Sequence, residues 1–80
     1  MQDKETVEFE HQTRIIISGK NDTGSKIKIS ENVDKVEYIN HGSSDGFTGY
    51  LGGQKQFSML FSNVTDISSE LRNELQSLSF

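Results

Sequence analysis

The stretch Val7-Glu8-Phe9-Glu10-His11-Gln12-Thr13-Arg14-Ile15-Ile16-Ile17-Ser18 decides the fold. Val7, Phe9, His11, Thr13, Ile15 and Ile17 fall at every second position, with Glu8, Glu10, Gln12, Arg14 and Ser18 between them. Successive side chains of a strand point to opposite faces, so this period predicts a long or bent β-strand with one buried face. In that phase His11 lies on the inner face, partly buried. Ile16 breaks the alternation, and three consecutive isoleucines imply that the second half is covered on both sides.

Downstream, Gly19-Lys20-Asn21-Asp22-Thr23-Gly24 is dense in turn formers and closes a hairpin. Lys26 to Ser30 alternates again, with Ile27 and Ile29 inward. Glu31-Asn32-Val33-Asp34 reads as a second turn, and Lys35-Val36-Glu37-Tyr38-Ile39-Asn40 as a third strand. Short turns between strands make antiparallel neighbours. Phe57, Met59 and Phe61 alternate in a fourth strand, and residues 47–51 offer a short fifth that pairs with it. The period then changes: Ile67, Leu71, Leu75 and Leu78 form one stripe of a helix over 66–79, capped by Thr65 or Asp66. Residues 1–6 are polar and read as a frayed end. The expected architecture is α+β: one domain over residues 1–80, a four- or five-stranded antiparallel meander packed by a C-terminal helix.

Eighty residues carrying only 31% apolar side chains, at a mean hydropathy of -0.60, support a single small core. The chain has no cysteine, which removes disulfides and thiolate metal sites as staples. Self-association is the staple that remains, so a homodimer is an expectation. A net charge of -4 argues against binding nucleic acid through a broad basic surface. No apolar run approaches the ~20 residues of a membrane-spanning helix, and the charged start lacks a secretory signal, so a cytoplasmic protein is expected.

Five of the seven glycines fall between Gly42 and Gly53, in a run read as a loop over 42–54. No lysine followed by Ser or Thr comes after its last glycine, as a phosphate-binding loop requires, and it does not open a helix as a dinucleotide site does. His41, Ser43, Ser44 and Asp45 supply the residue types of a nucleophilic triad, but neighbours on one glycine loop do not converge on a common centre. Two histidines, His11 and His41, without ligand spacing suggest no metal site. No catalytic residue, cofactor or metal is therefore assigned, and the chain reads as a non-enzyme.

Phe47 and Tyr50 stand inside the glycine run, which is either a bend or a partner-binding loop with these aromatics as anchors. Glu8, Glu10 and Glu37 lie on the outer face of the expected sheet and would steer a partner. The favoured function is a small protein-binding module, a regulator or inhibitor acting on another protein. The Ser-, Asn-, Lys- and Ile-rich, proline-free composition associates with phages and mobile elements. Two other readings stand beside it. One is a structural subunit that self-assembles through an edge strand or the terminal helix. The other is an acidic mimic of DNA that occupies a nucleic-acid-binding protein.

Overall fold

A computed structural model describes residues 4–40 and 42–77, with side chains as far as Leu75. The alternating stretch forms one long strand, β1 (Lys4–Lys20), whose inner face buries Val7, Ile15 and Ile17. The frayed end does not extend to Thr6. Lys4, Glu5 and Thr6 pair with Ile39, Tyr38 and Glu37, because the neighbouring strand is long enough to satisfy their backbone.

Asn21 organises the first turn. Its side-chain oxygen accepts from the amides of Thr23 (3.0 Å) and Ser25 (2.9 Å), while Gly24 adopts φ 85°. This is an Asx turn followed by a residue in the left-handed region, where glycine carries no Cβ penalty.

The next two expected strands are one, β2 (Lys26–Asn40), and the turn expected at Glu31–Asp34 is a bend within it. Glu8 pairs with Lys35 and Thr13 with Val33, so the segment from Phe9 to Gln12 stands opposite Asp34 alone. Extra residues on one strand bend the pair and raise its twist without reversing the chain. The bend also explains why Val33 and Val36, three positions apart, are both buried.

The short strand offered within the glycine run at 47–51 forms, so that run is not one loop over 42–54. It contains a seven-residue strand, β3 (Asp45–Leu51), joined to β4 (Gln54–Phe61) by Gly52 and Gly53. Their φ values of 60° and 81° suit a two-residue hairpin turn. Gly49 has another role, since a Cβ there would overlap the Phe57 ring and lie 2.8 Å from Val33 Cγ1.

The C-terminal segment also departs from expectation. Asn63–Ile67 is a strand, β5, and the helix α1 spans Ser69–Ser77. Ser68, not Thr65 or Asp66, marks its start. The Ser68 amide donates to the Ile16 carbonyl (2.8 Å) and its hydroxyl accepts from the Ile16 amide (3.0 Å), while its carbonyl receives the Arg72 amide. Pairing with β1 thus holds the chain extended until Ser68. Leu71 and Leu75 are buried as the stripe predicts, Ile67 belongs to β5, and Leu78 and Phe80 lie outside the described residues.

The architecture is α+β, an open five-stranded antiparallel sheet with one C-terminal helix, in the order β4-β3-β2-β1-β5. Its edge strands β4 and β5 are separated in sequence by Ser62 alone. The sheet therefore curls around its core, and Phe61 at the end of β4 lies over Gly19 of β1. Ser62 secures the crossing: its amide donates to the Lys20 carbonyl (2.9 Å) and its hydroxyl to the Asn21 carbonyl (2.7 Å).

A Cβ at Gly19 would overlap the Asn63 carbonyl oxygen, which is backbone and moves only if β5 moves. Gly19→Ala is expected to destabilise the fold by about 1–3 kcal/mol in urea titration, the usual cost of overpacking. It should also raise amide exchange in β5 ahead of β3.

Candidate partner-binding surface

Register across four strands lays out the outer face of the sheet. One row runs Thr6, Glu37, Thr48, Ser58, and the next Glu8, Lys35, Tyr50, Lys55. Neighbours in these rows interact. Lys4 Nζ lies 3.0 Å from a Glu37 carboxylate oxygen, and the Tyr50 hydroxyl donates to the other at 3.1 Å. Lys35 Nζ stands 4.8 Å from the Tyr50 ring centroid, within cation–π range, and Thr48 and Ser58 share a hydroxyl bond of 3.1 Å. The Lys4 ammonium is the main reason that Glu37 titrates below the ordinary glutamate range. The same carboxylate raises the Tyr50 phenol above its usual value.

The two aromatics of the glycine run part company. Tyr50 is half-exposed on the outer face. Phe47 points inward, is 2% exposed, and packs between Tyr38 (centroids 5.1 Å apart) and Phe61 (5.9 Å, edge to face). The exposed loop anchor expected at Phe47 is therefore a core residue. The two rings are three positions apart in β3, an odd step that places them on opposite faces.

Beside Tyr50, the bulge of β1 stands off the β3–β4 turn and opens a cleft of about 360 Å³. Glu8 lines it from β1, Glu10 and His11 from the bulge, Asp34 and Lys35 from β2, and Tyr50 from β3. His11 is exposed rather than partly buried, because the bulge lifts it out of the alternation. An Asp34 carboxylate oxygen accepts from the Gly52 amide (3.1 Å) and ties the β3–β4 turn to β2. The structure thus gathers Glu8, Glu10 and Tyr50 at one cleft and sets Glu37 behind Tyr50. It adds Asp34 and Lys35, which sequence reading assigned to a turn and an ordinary strand. A polar run within a long apolar alternation was the available signal, and it fits a turn equally well.

The triad-like residues do different work. Asp45 accepts from the buried Tyr38 hydroxyl, which also receives Asn40 Nδ2 at 3.2 Å. Burial first, and then the Asp45 carboxylate, raise the Tyr38 phenol above its ordinary value. His41 is outside the described residues. Among the described residues no three His, Asp or Glu side chains gather as metal ligands, and no helix is long and apolar enough to cross a membrane. No family model, curated protein or solved structure matches this chain.

Two outcomes check this geometry. Phe47→Ala should cost about 3–5 kcal/mol in chemical denaturation, enough to unfold much of a small domain, whereas Tyr50→Phe should keep the fold. Glu37 has a lowered folded pKa, so its contribution is present above the unfolded glutamate value and is lost as pH falls through the folded one. The stability gap between wild type and Glu37→Gln should be largest at neutral pH, about 1 kcal/mol at most for so exposed a pair, and should close on acidification.

Proposed function

We propose that this chain is a small protein-binding module, acting without catalysis, that takes a basic segment of another protein into the cleft between the β1 bulge and the β3–β4 turn. The charge of that cleft carries the reading. Glu8, Glu10 and Asp34 face it against the single ammonium of Lys35, and neither Glu8 nor Glu10 forms an ion pair among the described residues. On the adjoining face Lys4 and Glu37 already satisfy each other. Tyr50, braced by Glu37 and Lys35, offers a flat amphipathic wall of the kind that anchors interfaces. A module of this kind regulates or inhibits by occupying its partner. The DNA-mimic alternative calls for an unbroken row of carboxylates, and the interleaving of Lys4 and Lys35 with Glu8 and Glu37 favours a peptide segment instead.

The test is differential capture from host lysate with wild type and with Glu8→Lys/Glu10→Lys, read by quantitative mass spectrometry over a salt series. A partner held by wild type, weakened by salt and lost from a double variant that still melts cooperatively supports the cleft. Equal capture by the two proteins would remove it.

A further inference from the structure

We propose that two copies of this chain pair through the outer edge of β4, antiparallel and centred on Ser58, to give a two-fold dimer with a continuous sheet. The proposal is independent of the cleft, since it uses a different surface.

β4 is an edge of the open sheet, and β3 is its only strand partner among the described residues. Its outward backbone groups form a template for another strand. Edge strands are ordinarily protected by charge, shortness or cover. β4 has eight residues and a single charge, Lys55, near its start. The other edge is protected: β5 has five residues, its ladder to β1 is interrupted, and Asp66 is held by Arg72 at 3.1 Å.

The side chains of β4 are self-complementary in one register. A two-fold axis normal to the sheet at Ser58 sets Phe57 opposite Met59 of the second copy, twice, on the inner face. There both are already half-buried against the core. On the outer face Ser58 meets its own copy. Leu60, the one exposed large hydrophobic among the described residues at 44%, meets the methylenes of Gln56. Lys55 faces Phe61 only at the far end of the paired segment, and no like charges are opposed. A slip of one residue would set the inner Phe57 and Met59 against outer-face side chains, which the period-two rule disfavours. A slip of two in one direction runs into Ser62, already bonded to Lys20 and Asn21. In the other direction it moves Lys55 and the bulged start of the strand inward from the end of the pairing to face Met59. The paired edge also supplies the staple that a cysteine-free chain of this size otherwise lacks. One edge contact is small, so the dimer is expected to dissociate on dilution.

Sedimentation equilibrium and a cysteine scan test the pairing. Wild type should pass from monomer to dimer with concentration. Ser58→Lys sets two ammonium groups face to face and should raise the dimer dissociation constant about fivefold at low salt, less at high salt. Opposed residues have Cβ atoms about 4.5–5.5 Å apart, so Ser58→Cys should form an interchain disulfide under mild oxidation. Thr65→Cys on β5 should not. Glu8→Lys/Glu10→Lys should dimerise like wild type, which separates this proposal from the fate of the cleft. A wild-type chain still monomeric at about 1 mM would overturn it, because even a weak contact populates a dimer there. So would a dimer that ignores Ser58→Lys, or one that crosslinks through Thr65→Cys instead. Monomer would return the open edge to a strand from another protein.

Discussion

The whole fold depends on a one-residue connection. Ser62 alone separates β4 from β5, and these strands occupy opposite edges of the sheet. A flat five-stranded sheet would hold its edges about four strand spacings apart, on the order of 19 Å, and one residue spans no more than ~3.6 Å. The sheet must therefore curl until its edges nearly meet. The Phe9–Gln12 bulge in β1 provides the bend, and Gly19 provides the close approach where Asn63 and Phe61 cross β1.

Curling is what lets so few apolar residues make a core. Ile15 and Ile17 from β1, Val33 and Val36 from β2, Phe47 and Phe61 from β3 and β4 all point to one centre, with Leu71 and Leu75 entering from α1. A flat sheet with a nine-residue helix on one face would leave several of these wet. The same bend creates the cleft beside Tyr50. Bulging lifts Phe9 to Gln12 away from β2, and the Asp34–Gly52 bond draws the β3–β4 turn alongside, so the cleft is a by-product of the device that closes the core. The unpaired edge of β4 has a related origin, because the curl stops short of closing the sheet.

Much of this was legible in the chain, and where reading failed the reasons are physical. Period-two alternation identified β1 and the strand halves on either side of Asp34, because each has one wet and one dry face. The stripe through Leu71 and Leu75 identified the helix. Glu31–Asp34 was misread because a bend within a strand and a turn use the same polar residues, and only the bulge in the partner strand decides between them. The short strand offered at 47–51 is present and pairs with β4, but the loop assigned around it over 42–54 was too long, because glycine serves turns at Gly52 and Gly53 but side-chain clearance at Gly49, and no local pattern separates the two. Phe47 followed that error from surface to core. Thr65 and Asp66 are good caps by chemistry, yet pairing of β5 with β1 postpones the helix to Ser69.

The sequence by itself determined which segments alternate wet and dry faces, that the chain reverses after Gly19, and that one small apolar core must suffice for an acidic chain, because these follow from local periodicity, turn chemistry and composition. The tertiary structure decided how far the sheet curls, which aromatic is buried, which carboxylates share a cleft and which edge stays open. Those depend on contacts between residues far apart in the chain, such as Ile16 with Ser68, Asp34 with Gly52 and Phe61 with Gly19, whose geometry no local pattern records.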